Sequence, residues 1–458
     1  MKRVTPLSLF LTVRVPTLLA LFWRRYIARE PILPSCLQIP ATPELPSRKE
    51  PVSIILFRLD ALGDVAMTTP LFRELKKVFP ESRYTVVVQE AYRPLLVTNP
   101  YIDEVLSLPK TRPEWLPERA KRLLSAISFY RSRLRGRHFD FAISPRWDVD
   151  EHLATFLCLL TSADERVGYT SEASPEKQLL NRRFDAAFSI CLGSGPLRHE
   201  VFRNLAIVKA LGGKVSDSSL EIRLTERDRR KASQLLAQAS PSAKLVAVGI
   251  GARSPGRRWA LERYAQTLAQ LSKEQNIQPI VVCSAEERAE AEKLASLLSG
   301  NAIIISGVPL RQTCAVLERC ALLVGNDSGA AHLAAAMNCP TVVISRHPRD
   351  GDPNHPNSPL RFAPYGNCVR VLQPMKGREE CELSCCRAEP HCIAGVSVEE
   401  VAGTAREFLR SVQPIARPAE RSWPDQASRH LMHSHSTDAM RRALEALRSR
   451  PDSPSSPI

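Results

Sequence analysis

An apolar run at Ala321–Gly325 leads directly into Asn326-Asp327-Ser328-Gly329-Ala330-Ala331-His332, and a second apolar run, Leu333–Met337, follows without a break. A strand that stops at an acid, hydroxyl and glycine turn and continues as a helix is a βα unit, which commits the chain to a sheet covered by helices. The start of such a helix leaves backbone N–H groups without partners and carries partial positive charge, so it suits a phosphate. Ser328 adds a hydroxyl donor, and Gly329 lets a ligand approach the backbone. His332, four residues after Ser328, shares the first helical turn. Asp327 is expected to be the N-cap. The plain alternative is an ordinary capped helix.

A second segment has the same form. Ile54-Ile55-Leu56-Phe57-Arg58-Leu59 reads as a buried strand, Gly63-Asp64 as a tight turn, and Val65–Val78 as a helix that includes Thr68-Thr69-Pro70. Ligands of open parallel α/β sheets bind beyond such strand ends. The G-x-G-x-x-G dinucleotide fingerprint is absent from this segment. Asp64 is a candidate general base for a substrate hydroxyl; helix capping is its plain alternative.

Strand-like and helix-like segments alternate between these two. Tyr84–Glu90 and Phe139–Ser144 read as further strands of a first half. Leu245–Gly249, Pro279–Cys283, Ala302–Ile305, Ala321–Val324 and Thr341–Ile344 read as strands of a second. Helical patterns lie at Glu200–Leu211, Leu261–Lys273 and Glu286–Leu298, and the join is expected near Gly212–Leu220. At 458 residues the chain is long enough for two cores.

In their order and spacing the motifs resemble those of glycosyltransferase family 9, the heptosyltransferases. The resemblance covers roughly residues 52 to 410. Arg58, Leu59, Gly63 and Asp64 are similar to the family's Arg-Leu-x-x-x-Gly-Asp opening. Asp327, Ser328, Gly329 and His332 are similar to its Asp-Ser/Thr-Gly-x-x-His segment. Gly249–Ala252 through Arg257-Arg258-Trp259 to Tyr264 is similar to its Gly-Ala…Lys-Arg-Trp stretch. The resemblance implies an α/β fold of the GT-B type, with two Rossmann-like parallel-sheet domains facing a cleft. The division expected is an N-terminal segment and linker at 1–50, an acceptor domain at 51–215, a nucleotide-sugar domain at 216–412 and a disordered tail at 413–458. The last helix, around Val398–Val412, is expected to return to the first domain.

The resemblance also implies roles. Asp64 would be the catalytic base of an inverting transfer that requires no metal and no cofactor. Ser328 and Gly329 would hold the donor diphosphate, with Asp327 and His332 shaping the turn. Arg257 or Arg258 would meet the phosphates where the family often has Lys, with a planar fork in place of a point charge. Glu286 or Glu287 would accept hydrogen bonds from the ribose, and Trp259 would pack. Arg58 and Gly63 would shape the first loop or meet phosphate, and Arg146 and Asp148 would contact the acceptor. Asp60 stands where a small hydroxyl residue is common, and it is unfavourable near a diphosphate unless Arg58 pairs with it. The implied reaction moves heptose from ADP-heptose onto a lipopolysaccharide core or related anionic glycolipid. The alternatives are a protein O-heptosyltransferase and a catalytically silent GT-B glycolipid-binding or assembly protein.

A net charge of +15 points to an anionic partner. No RNA-binding aromatic signature or paired zinc-finger spacing is present, so nucleic acid is excluded as the expected partner. Residues 7–23 are apolar but carry Arg14 and Pro16. They read as a peripheral contact with an anionic leaflet or as a plain extension, and less well as a membrane span. With the resemblance, this implies a cytoplasmic enzyme peripheral to the bacterial inner membrane. The tail from Pro414 is rich in Pro, Ser and Arg, with one short helix expected at Asp438–Arg448. Cys158, Cys283 and Cys320 lie in apolar runs and are expected to be buried as small hydrophobes. Cys381, Cys385, Cys386 and Cys392, with Cys368 upstream, have a spacing open to zinc, iron or a disulfide. Reduced thiols without a metal are the expectation, and a structural metal is the alternative.

Overall fold

A computed structural model describes residues 51–109, 118–181, 184–378, 381, 385 and 387–411. The apolar segment at 7–23, the tail, its expected helix and Cys386 lie outside them. Two six-stranded sheets organise the rest. The first holds β1 (Ser53–Arg58), β2 (Arg83–Gln89), β3 (Glu104–Leu108), β4 (His138–Ile143), β5 (Ser162–Tyr169) and β6 (Ile190–Leu192) in the order β3-β2-β1-β4-β5-β6. The second holds β7 (Lys244–Gly249), β8 (Ile277–Cys283), β9 (Ile303–Ser306), β10 (Leu322–Asn326), β11 (Thr341–Ile344) and β12 (Val369–Leu372) in the order β12-β11-β10-β7-β8-β9. All neighbours pair in parallel. Both sheets therefore have the doubly wound Rossmann order, with the strand order reversing between β1 and β4 and between β10 and β7.

Burial explains why these segments are strands. Ile54 and Leu56 enter one apolar cluster, and Ile55 and Phe57 enter another on the opposite face. A strand covered on both faces needs a continuous apolar run, as the sequence has. Each such side chain contributes about 1.5–3 kcal/mol by leaving water. In the second sheet Val246 and Val248 face one cluster while Ala247 faces the other.

Five helices matter to the site: α1 (Leu62–Val78), α2 (Glu200–Ala210), α3 (Leu261–Glu274), α4 (Gly329–Ala336) and α5 (Val398–Ser411). Helix α1 starts at Leu62, so Gly63 and Asp64 lie in its first turn rather than in a preceding loop. Pro70 interrupts its hydrogen-bond ladder and leaves the Ala66 carbonyl without its usual donor. The Thr69 hydroxyl donates to that carbonyl at 2.7 Å. The same hydroxyl accepts from the Glu221 N–H at 3.0 Å, which ties the connection between the sheets to α1. Arg73, on α1, reaches the same connection through Glu221, Ser219 and Asp217.

One expectation is corrected. Helix α5 does not return to the first sheet. Val398, Val401, Ala405 and Leu409 pack with Val246, Tyr264 and Leu268 of the second half, and Lys244 Nζ donates to the Leu409 carbonyl at 2.7 Å. Its apolar stripe is covered where it lies, beside α3.

Candidate active site

The four loops that carry the motifs all leave the carboxyl ends of the central strands. Arg58–Asp64 follows β1 and Arg146–Asp148 follows β4 in the first sheet. Gly251–Arg258 follows β7 and Asp327–Gly329 follows β10 in the second. These are the two switch points, where open parallel sheets bind ligands.

The two helix starts meet. A side chain added at Gly63 would stand 2.7 Å from the His332 ring, and one added at Gly329 would stand 2.6 Å from Leu62 Cδ2. Gly63 and Gly329 are therefore needed for close approach between the first turns of α1 and α4. His332 is buried, and its Nδ1 has no hydrogen-bond partner among the described residues. Burial holds its pKa below the ordinary value, against the pull of Asp327 and Asp64.

Asp64 is held from both sides. Its Oδ2 accepts from the Ala61 N–H at 3.1 Å, and its Oδ1 accepts from Arg58 Nη2 at 3.2 Å. Arg146 Nη1 lies 3.7 Å from the same Oδ1. Helix capping and a functional role are thus compatible at this residue. Burial raises its pKa, with Asp60 and Glu200 adding to it and Arg58 and Arg146 opposing. Asp60 goes the other way: burial disfavours its charge, but Arg146 and Arg58 together outweigh that and lower its pKa. Each Arg lies 3.5 Å from Asp60, so the carboxylate expected to trouble a diphosphate is paired.

Arg58 is fully buried and faces Glu200 at 2.7 Å as well as Asp60 and Asp64. This geometry makes it the organiser of the first loop rather than a group offered to phosphate. Glu200, the first residue of α2, is a site residue the sequence reading missed. Asp148 is also used within the protein. Its Oδ2 accepts from Arg361 at 2.7 Å, and its Oδ1 accepts from the Val149 N–H and the Ser174 hydroxyl. Burial disfavours its charge, but Arg146 and Arg361, with the Arg361 and Val149 hydrogen bonds, together outweigh that and lower the Asp148 carboxyl to about 2. Arg146 retains partial exposure beside Asp64.

On the second sheet, Asp327 does not cap α4. Ser328 is the N-cap residue, and its side chain makes no capping hydrogen bond. Asp327 instead accepts from Arg257 Nη2 at 2.6 Å, so it fixes that guanidinium beside the turn. Asn326 Oδ1 accepts from the Trp259 N–H and the Tyr264 hydroxyl, and its Nδ2 donates to the Ile250 carbonyl at 2.7 Å. One buried amide thereby joins the ends of β7 and β10. Trp259 is buried and packs edge-on against Tyr264 at 5.0 Å, with its Nε1–H donated to the Val396 carbonyl. A pocket of about 150 Å³ lies next to it, lined by Ile250, Arg258, Trp259, Glu287, Glu290 and Pro390 among others. That volume is below the usual range for a whole ligand and fits one part of it. Arg258 lies 3.5 Å from Glu287 and 3.4 Å from Glu290. Of the two ribose candidates, Glu287 reaches the pocket, while Glu286 is exposed and is not part of its lining.

Two Rossmann sheets with adjoining switch points, an anion-suited helix start on one and a carboxylate on the other have the architecture of the GT-B fold. The sequence model of glycosyltransferase family 9 (heptosyltransferase) matches residues 128–374. The chain is similar to the lipopolysaccharide core heptosyltransferase OpsX of Haemophilus influenzae, with 24% identity over 70% of this chain and 84% of that one. Its fold is similar to a family 9 glycosyl transferase from Veillonella parvula, with 21% identity, a TM-score of 0.62 and coverage of 79% of this chain and 98% of that one. It is also similar to the E. coli heptosyltransferase WaaC with ADP, with 17% identity, a TM-score of 0.56 and coverage of 78% and 99%. The chain belongs to glycosyltransferase family 9, the heptosyltransferase family.

Proposed function

We propose that the chain transfers heptose from ADP-heptose to a hydroxyl of a lipopolysaccharide core or related anionic glycolipid, with inversion at the anomeric carbon. The observation that carries this reading is the contact of Gly63 with His332, which brings the Asp64 turn against the start of α4. Asp64 takes the proton of the acceptor hydroxyl, and its raised pKa brings it nearer to the proton it must accept. The acceptor oxygen bonds to the anomeric carbon as the bond from that carbon to the diphosphate oxygen breaks. Direct displacement with one base leaves no covalent intermediate, so the configuration inverts.

The leaving ADP carries away the electron pair and gains negative charge. Ser328, the backbone N–H groups at the start of α4 and Arg257 would stabilise it, with Asp327 keeping Arg257 in position. Glu287 beside the small pocket would accept from the ribose, with Arg258 and Glu290 shaping the wall. Arg146 would meet the anionic acceptor while holding Asp64, and Asp148 would keep its loop in place. The name of the Haemophilus relative supports a lipopolysaccharide core acceptor, and the ADP in the WaaC structure supports the nucleotide. Among the described residues no helix is long and apolar enough to cross a membrane. The proposed place of action is the cytoplasmic face of the inner membrane, reached by peripheral contact.

Thermal unfolding with ADP, UDP, GDP and dTDP tests the donor. A ligand at a hundred times its Kd adds about 2.7 kcal/mol of stability. Selective stabilisation by ADP is expected. Selective stabilisation by another nucleotide would overturn the ADP assignment.

A further inference from the structure

We infer that Cys381, Cys385, His391 and Cys392 form a tetrahedral site for a thiolate-binding divalent cation of the zinc class. The four ligand atoms lie within 4.8 Å of one another. His391 Nδ1 stands 3.7 Å from the Cys381 sulfur, 3.9 Å from that of Cys385 and 3.4 Å from that of Cys392. In a tetrahedral zinc site, sulfur and nitrogen ligands at their usual bond lengths stand about 3.6 Å apart. One ion at the centre is therefore within bonding distance of all four with little movement.

The packing separates these cysteines from those used as hydrophobes. Cys158 and Cys191 belong to an aliphatic and aromatic core, and Cys314, Cys320 and Cys339 belong to another. Cys381, Cys385 and Cys392 are at most 2% exposed, yet among the described residues the apolar cluster they form contains no other member. Three buried sulfurs that converge on an imidazole, rather than on aliphatic side chains, have the composition of a metal site. A disulfide would account for two sulfurs and leave the third with the ring. The described cysteines form no disulfide. The Arg378 N–H donates to the Cys392 sulfur at 3.5 Å, the kind of outer contact that steadies a thiolate ligand.

The ligands bracket the backbone of residues 387–390. A side chain added at Gly256 would collide with the carbonyl oxygens of Arg387, Ala388 and Glu389, so this loop lies directly on the turn that carries Arg257. Pro390 lines the small pocket with Arg258 and Glu287. The ion would fix this loop against the turn. Its consequence for nucleotide binding rests on the donor-site reading above, whereas the metal content does not. Binding requires the three thiols to lose their protons to solvent and the imidazole Nδ1 to be unprotonated.

The test is elemental analysis of the full chain purified without chelator or metal-affinity steps, followed by Co²⁺ exchange. About one zinc per chain and the absorption of tetrahedral cobalt thiolate are expected. Iron in place of zinc would support the site and change only the ion. Cys385→Ser and His391→Ala should lose the metal, whereas His391→Cys, which restores a fourth ligand, should keep it. Wild-type protein with no bound transition metal and no cobalt spectrum would overturn the inference, as would full metal content in Cys385→Ser.

Discussion

Single residues around the first loop carry charges that are buried only because they are paired. Arg58 is the extreme case, with no exposed surface and three carboxylates around it. Arg58→Met should destabilise the fold by about 3–5 kcal/mol, because it leaves buried carboxylates without a counter-charge. Urea unfolding at pH 7 measures this, and an unchanged midpoint would refute the role. Asp148 gives a pH signature. Its carboxyl lies at about 2 in the native state against 3.8 for the free group, so it stabilises above 3.8 and loses that contribution as pH falls towards 2. Asp148→Asn should cost about 2 kcal/mol at pH 7, with the gap to wild type roughly halved at pH 3. A gap that widens on acidification would contradict the assignment. The turns that carry Asp64, His332 and Arg257 could be placed from the sequence because each stands beside an apolar run. Glu200 and Arg361 could not, since their partners Arg58 and Asp148 lie 142 and 213 positions away. The role of Asp327 was misread because an Asp before a helix resembles a cap, and only the fold brings Arg257 to it.

At the scale of elements, the close approach of α1 and α4 makes the sharpest claim. Gly63→Ala should push a methyl group into the buried His332 ring, at a cost of about 1–3 kcal/mol. Much of that cost should vanish in a His332→Ala background, a coupling that a double-mutant cycle reads directly. Additive effects would mean that the two helix starts do not touch. Thr69→Val should cost about 1–3 kcal/mol, because it leaves the Ala66 carbonyl beside Pro70 and the Glu221 N–H without their shared hydroxyl. Denaturant unfolding would test this, and a neutral substitution would show that another group satisfies both. The central strands were legible because burial on both faces demands continuous apolar runs. Strands β3, β6 and β12 are short and partly exposed, and β5 reads Ser-Ala-Asp-Glu-Arg-Val-Gly-Tyr, so none carries that signal. Helix α5 shows a different limit. Its stripe of Val398, Val401, Ala405 and Leu409 requires an apolar surface but does not specify which sheet supplies it.

At the scale of the whole molecule, two copies of one topology bring their switch points together, which places a carboxylate on one sheet next to an anion-suited helix start on the other. The paired-sheet architecture was legible because strand-like and helix-like segments alternate along nearly the whole described chain. The contact between the halves was not, since the glycines that permit it are ordinary turn residues until His332 and Leu62 are seen against them. The cysteine and histidine cluster was legible only in part. The sulfurs stood out by spacing, but His391 drew no notice until the loop brought its ring to them. In the proposed reaction, Asp64 removes the acceptor proton in a heptosyl transfer. The most direct test is the rate of heptose transfer from ADP-heptose by wild type and Asp64→Asn, with ADP affinity measured in parallel and the wild-type rate followed across pH. A fall in kcat of roughly 10²–10⁴-fold with ADP affinity unchanged is expected. The wild-type rate should decline on the acid side at a pH above the 3.8 of a free aspartate. Transfer at the wild-type rate by Asp64→Asn would contradict that role of Asp64.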